Sequence, residues 1–203
     1  MTDIRFQLPE INTWRLFGKG VSQAGVVEMV EEWEAHGYRF GCVCIDDGWT
    51  VAGRMGDWTA DPARFPDFAG LVDWIHAKGY AVRLWVAPIQ IHEGAAAFAR
   101  LAPEALLRNK HGAPAYYVGL GTYRLDPRAP AAREHVRGVM QRLVRDYRVD
   151  AFKVDFPPFY RARDEFYLQQ AFDFPEHDDR TMVPDFYRLV RESLDQVNPA
   201  VRV

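Results

Sequence analysis

The chain has 203 residues, and 25 Lys plus Arg against 28 Asp plus Glu leave a formal charge of -3 with the six histidines neutral. That balance excludes binding to nucleic acid through phosphate neutralisation, which needs a marked excess of basic side chains. Hydrophobic residues at 48% and aromatic residues at 14% exclude a disordered chain and suffice for a packed core.

Ile11 to Phe17 is a candidate first strand. Ser22 to His36 carries Val26, Val27, Met29, Val30 and Trp33 at helical spacing with glutamates between them, and Gly37 ends it. Arg39 to Ile45 is a short apolar run closed by Asp46, Asp47 and Gly48, the pattern of a buried strand. Its two cysteines, Cys42 and Cys44, are expected as buried thiols on opposite faces and not as a disulfide or metal pair. The alternation repeats with a helix over Pro66 to Lys78 and a strand over Tyr80 to Ala87. It repeats again with a helix over Pro130 to Tyr147 and a strand over Asp150 to Asp155. A fourth helix spans Val183 to Val197, and Ala200 to Val203 opens another strand.

Helices alternating with strands predict parallel βαβ units. Polar and aromatic residues gather just after the strands, in Asp46 to Asp61, Gln90 to Glu93 and Phe156 to Asp179, as at the carboxyl-end face of a barrel. An eight-stranded barrel takes roughly 250 residues. The expectation is therefore one incomplete α/β domain over 1–203, a partial (β/α)8 TIM barrel with four βα units and the start of a fifth strand. No stretch nears the roughly 18 apolar residues of a membrane helix, and Met1 to Glu10 lacks the pattern of a signal peptide. A cytoplasmic protein with neither membrane nor nucleic-acid partner is expected.

Three constellations carry chemistry. In Phe152-Lys153-Val154-Asp155-Phe156, strand alternation sets Lys153 and Asp155 on one face, about 6 to 7 Å apart. The outer face of a barrel strand packs on helices, so the charged face points inward. A cation and a carboxylate there are costly unless paired or functional. The ammonium favours an ionised Asp155, as a nucleophile requires, and the competing reading is an ion pair that merely closes the barrel. In Asp46-Asp47-Gly48-Trp49 the turn can aim both carboxylates at sugar hydroxyls, with Trp49 offering an apolar face to a sugar ring. A turn with helix-capping acids fits the same residues. The third is the loop from Gly56 to Pro66, rich in aromatic and acidic residues, alternatively a surface loop with Asp61-Pro62 as a turn and Trp58 as a hydrophobic lid over the following helix. Trp85, near a strand end, is either core or a stacking platform.

Several motifs are set aside. Gly119-Leu120-Gly121 lacks a third glycine, His92-Glu93 has no second histidine at helical spacing, and Glu176-His177-Asp178-Asp179 reads as a solvated loop. No metal or other cofactor is expected.

Taken together, the set resembles the catalytic barrel of the retaining α-glycosidases, nearest to the α-galactosidases of glycoside hydrolase family thirty-six and their clan relatives. The resemblance rests on Asp46-Asp47-Gly48-Trp49, Gly56-Asp57-Trp58-Thr59 to Phe65-Pro66, Leu84-Trp85, Leu125-Asp126 with Pro130, and Phe152-Lys153-Val154-Asp155, in that order over roughly Trp14 to Phe156. It implies that Asp155 is the nucleophile, that Lys153, Asp46 and Asp47 hold the hydroxyls of the terminal sugar, and that Trp85 and Trp58 line the pocket. The substrate it implies is an oligosaccharide or other α-glycoside, and it places the general acid beyond Val203. Three departures point to a reshaped subsite: Ala87-Pro88-Ile89 where the family has Glu-Pro-Glu, Phe156-Pro157-Pro158 after the nucleophile, and Leu120 where an arginine is common.

An incomplete barrel leaves sheet edges uncovered, so the chain alone is expected to be inactive and to associate into homo-oligomers. The alternative is a carbohydrate-binding or degenerate barrel without catalysis. An aldolase using Lys153 as a Schiff-base amine is disfavoured, because Asp155 beside it favours the protonated amine.

Overall fold

The computed structural model describes residues 3–108, 112–157 and 182–203. In chain order the elements are β1 Glu10–Asn12, α1 Trp14–Phe17, α2 Gln23–Ala35, β2 Cys42–Ile45, α3 Phe68–Ala77, β3 Ala81–Val86, β4 Gln90–Ile91, α4 Ala96–Ala105, β5 Tyr116–Tyr117, β6 Thr122–Arg124, α5 Pro130–Tyr147, β7 Ala151–Val154 and α6 Met182–Asp195. The order β1-β2-β3-β7 forms a parallel sheet, and Arg202 adds a parallel bridge to Ala151 on the far side of β7. Four strands and the beginning of a fifth therefore run side by side as in a TIM-barrel-like α/β domain.

The helices form where the sequence places their caps and apolar faces. Ser22 Oγ accepts from Gly25 N–H at 3.2 Å to start α2, and Asp67 Oδ1 accepts from Gly70 N–H at 2.8 Å to start α3. Pro130 opens α5, whose buried face runs Ala132, His135, Val136, Val139, Met140, Leu143 and Val144. This face and those of α3 and α6 cover the outer side of the sheet, where Ile11, Val43, Ile45, Val82, Leu84 and Phe152 are buried.

Four sequence expectations need correction. The first strand stops at Asn12, and Trp14–Phe17 is a helical turn instead of a continuation. The second strand begins at Cys42, three residues later than its apolar run suggests. Cys42 and Cys44 share a face, because side chains two apart in a strand point the same way. Both are buried and free, and burial foremost raises both thiols, Cys42 to about 12, so neither ionises readily. Finally, the crossover between β3 and α5 contains two features absent from the expected elements, the helix α4 and a small antiparallel sheet of order β4-β6-β5. The Glu176 to Asp179 motif lies outside the described residues. Among the described residues no helix is long and apolar enough to cross a membrane.

The N-terminal segment closes the lower end of the sheet. Arg5 donates to Asp150 Oδ1 at 2.9 Å and to the Tyr80 carbonyl at 3.3 Å, tying the chain start to the entries of β3 and β7. Gly41 makes this possible, since a Cβ there would lie 2.0 Å from the Arg5 carbonyl oxygen. Gly41→Ala should therefore lower stability by about 1–3 kcal/mol, the usual cost of overpacking. Urea unfolding measures this, and an unchanged midpoint would show that the segment is not seated there.

Candidate active site

Strand register decides which residues meet at the carboxyl ends. Asn12 stands opposite Cys44, Cys44 opposite Arg83, and Trp85 opposite Lys153. These belong to the inward row of the sheet, and the chain carries that row on to Asp46 after β2 and to Asp155 after β7. The row converges on a cavity of about 330 Å³ lined by Asp46, Asp47, Trp85, Lys153 and Asp155, with Trp14, Lys19, Tyr117, Leu120 and Phe156 around its rim. A larger open groove, about 1060 Å³, runs along α2 past Glu28 and Glu31, away from the strand ends.

Asp46 is the most heavily bonded group in the cavity. Its Oδ2 accepts from Lys153 Nζ at 2.7 Å and from Asn12 Nδ2 at 2.9 Å, and its Oδ1 accepts from Asp47 N–H at 2.8 Å. Its own N–H donates to Thr13 Oγ1 at 2.9 Å. Burial works against the charge on Lys153, but the hydrogen bond and charge of Asp46 outweigh it, and the ammonium is held above the ordinary lysine value. The lysine thus pairs directly with the carboxylate across the sheet, two strands away, instead of serving chiefly its neighbour Asp155.

Asp155 is positioned by other groups. Trp85 Nε1 donates to Oδ2 at 3.1 Å, and the N–H of Phe156 donates to Oδ1 at 2.8 Å. Phe156 reaches this contact with φ of 48°, a left-handed conformation that a bulky residue rarely adopts. Asp47 is nearly buried, and burial foremost raises its pKa against the opposing pull of Lys19, whose Nζ lies 3.6 Å away.

Two of the expected sugar-facing residues are not on the cavity wall. Trp49 and Trp58 are fully buried. Trp49 Nε1 donates to the Trp85 carbonyl at 2.9 Å, and its ring packs 5.5 Å from Phe68 and 6.2 Å from Trp58. The turn at Gly48 swings Trp49 behind the sheet into the apolar layer under α3, where its large ring gains most by burial. Of the expected residues the structure brings together Asp46, Asp47, Trp85, Lys153 and Asp155. Sequence reasoning missed Trp14 and Lys19. Their signal was Asn12-Thr13-Trp14 after a short strand, hidden by extending that strand to Phe17. Leu120 and Phe156, noted as departures, both stand on the rim.

Comparison with known proteins bears on this geometry. Residues 11–188 match the model of the glycosyl hydrolases family 31 TIM-barrel domain. The myogenesis-regulating glycosidase of Mus musculus is 30% identical over 154 residues, covering 74% of this chain and 21% of that protein. An A type blood alpha-D-galactosamine galactosaminidase of Flavonifractor plautii is 29% identical over 142 residues, covering 64% and 13%. The chain thus spans about a fifth or less of these relatives. Among solved structures, the alpha-galactosidase of Lactobacillus brevis superposes with a TM-score of 0.76 at 19% identity, covering 95% of this chain and 26% of that one. A family-36 alpha-galactosidase of Geobacillus stearothermophilus in complex with raffinose gives 0.75 at 17% identity, covering 96% and 27%. At such identities these likenesses show the fold. The expected nearest family, thirty-six, is present among the fold neighbours, whereas the sequence model that matches is that of family 31. Acidic and aromatic residues at strand ends do not by themselves separate two families built on one barrel.

Two outcomes follow from the buried groups. Trp49→Ala should cost about 3–5 kcal/mol of stability, as truncation of a buried aromatic does. Thermal unfolding checks this, and a stable variant that lost only ligand affinity would return Trp49 to the cavity. For Asp47 the folded pKa lies above the unfolded one, so its burden on folding is absent at low pH and grows as pH rises through the unfolded value. Asp47→Asn should therefore stabilise the fold at pH 7 and lose that advantage below the ordinary aspartate range, as urea titrations at several pH values would reveal.

Proposed function

This chain belongs to the family 31 TIM-barrel domain of the glycosyl hydrolases, and from that membership we propose that it is the nucleophile-bearing part of a barrel that hydrolyses terminal α-galactosides with retention. One observation carries the reading: Asp46, Asp47, Lys153 and Asp155, from two strand ends on either side of β3, share a single cavity with Trp85. Three carboxylates and an ammonium can accept from and donate to the hydroxyls of one pyranose, while Trp85, itself almost wholly buried, borders the cavity and holds Asp155 through its indole N–H.

In this mechanism the Asp155 carboxylate attacks the anomeric carbon as the glycosidic C–O bond breaks, and a carboxylic acid protonates the leaving oxygen. Water then cleaves the glycosyl ester, passing a proton to that same carboxyl group, and the configuration is retained. The Trp85 and Phe156 donors fix the direction of the attacking carboxylate. The general acid is assigned to a later strand, outside residues 1–203, so hydrolysis belongs to the longer protein. Galactose is favoured by the raffinose, stachyose and p-nitrophenyl alpha-D-galactopyranoside held in complexes of the fold neighbours. Leu120 and Phe156 on the rim give this pocket an apolar side.

The galacto-configured iminosugar 1-deoxygalactonojirimycin is a direct probe, because its ammonium stands in for the charge that develops at the anomeric centre. The chain should bind it, and Asp155→Asn should weaken binding at least tenfold in calorimetry while thermal unfolding stays unchanged. Equal affinity in the variant would remove Asp155 from the site. The 203-residue chain should not hydrolyse an aryl α-galactoside; turnover abolished by Asp155→Asn would overturn the assignment of the acid to a later strand.

A further inference from the structure

The loop after β2, the start of α4 and one face of α5 enclose a hollow of about 520 Å³ that shares no wall residue with the cavity of Asp155. Asp57, Arg100, Glu134, His135, Gly138 and Arg142 line it. We propose that this hollow binds a phosphate monoester, with the phosphate between Arg100, Arg142 and His135 and the rest of the ligand over Gly138. The proposal does not depend on what the inner cavity binds.

The cations on the wall are placed but not used up. Glu134, Gly138 and Arg142 follow at four-residue spacing along α5 and share one face. Arg142 Nη2 donates to the carbonyls of Asp57 at 2.6 Å and Trp58 at 3.2 Å, which fixes the guanidinium. Its Nη1 has only Asp146 at 3.9 Å, too far for a hydrogen bond. Arg100, exposed on α4, has no hydrogen bond or ion pair among the described residues. The two acids on the wall are already answered: Asp57 accepts from the N–H groups of Ala96 at 2.9 Å and Ala97 at 3.0 Å, and Glu134 accepts from Arg137 at 2.6 Å. What is left over is guanidinium N–H, whose planar fork matches phosphate oxygens.

His135 adds a second, separate sign. The residue is 9% exposed, and its Nε2 is buried without a hydrogen-bond partner among the described residues. A native fold rarely leaves such an atom unanswered, so a partner from outside the chain is the simplest account of it. Burial foremost, then the charge of Arg100 with that of Arg142 behind it, push the ring down to about 4 against the pull of the Gly56 carbonyl and Asp57. A neutral imidazole can carry its proton on Nε2 and donate it to a phosphate oxygen.

Gly138 is the third sign. Its φ is not left-handed, and a Cβ on it would meet nothing within 4 Å, so no packing among the described residues calls for glycine there. Glycine weakens a helix interior relative to alanine. The missing side chain leaves open space beside Arg142. The hollow is larger than a bare phosphate fills, and Glu134 at its edge can accept from a hydroxyl on the alcohol part of an ester.

Calorimetric titration with glycerol 3-phosphate and with inorganic phosphate, at constant ionic strength, tests this. The chain should bind the ester at least threefold more tightly than the free anion. Gly138→Leu, which fills the hollow while favouring the helix, should keep the thermal midpoint and weaken the ester at least tenfold. Arg100→Gln, a change at an exposed position, should weaken both ligands at least fivefold. His135→Phe, which keeps a ring in place and removes its nitrogens, should weaken both in the same direction. Absence of binding, or an affinity unchanged in Arg100→Gln or in Gly138→Leu, would overturn the site. Equal affinity for the two ligands would overturn the ester and leave free phosphate as the ligand.

Discussion

The contact between Lys153 and Asp46 organises everything else at the strand ends. Two groups brought to the carboxyl ends of β7 and β2 meet at 2.7 Å across β3, with the aspartate almost wholly buried. An unpaired carboxylate at that depth would be costly. The protein answers with donors from three directions, the ammonium of Lys153, the amide of Asn12 and the backbone N–H of Asp47. Satisfying Asp46 in this way fixes the relative position of three strands, and it leaves Lys153 half-exposed toward the cavity with its charge secured. Asp155, on the same row as the lysine, then faces the same space. The geometry of the candidate site thus follows from the need to satisfy one buried charge.

Two features of the site run against ordinary stability rules. Phe156 adopts a left-handed backbone beside the candidate nucleophile, and Asp47 is buried with a distant cation. Each is unfavourable alone. Both occur on the cavity wall. Trp58, with φ of 51°, and Arg148, with φ of 55°, carry the same left-handed conformation away from the cavity, so backbone strain by itself does not mark the site.

The fold was legible because its signals are periodic and local. Apolar residues at helical spacing, glycines and prolines at element ends, and compact apolar runs located α2, α3, α5 and the three longer strands. Strand alternation set Lys153 and Asp155 on one row wherever β7 lies, and the structure brings five of the seven expected residues, these two with Asp46, Asp47 and Trp85, to one cavity. What escaped was set by tertiary geometry. Two tryptophans beside acidic residues suggested sugar platforms, yet the turn at Gly48 sends Trp49 to the core, and no local pattern specifies the direction of such a turn. The two-residue strands of the small sheet are too short for alternation to register. The helix α4 did carry a signal, Ala97, Leu101 and Ala105 at four-residue intervals, but small side chains made it faint. The family was narrowed to glycosidase barrels by the motifs and assigned to family 31 only by comparison over most of the chain.

The central claim is that Asp155, Asp46 and Lys153 address one sugar. A crystal structure of the chain with 1-deoxygalactonojirimycin tests it most directly. The account predicts the iminosugar nitrogen within hydrogen-bond distance of an Asp155 oxygen, with ring hydroxyls on Asp46 and Lys153. An iminosugar bound elsewhere, or one bound here with the Asp155 carboxylate turned away from it, would contradict the account.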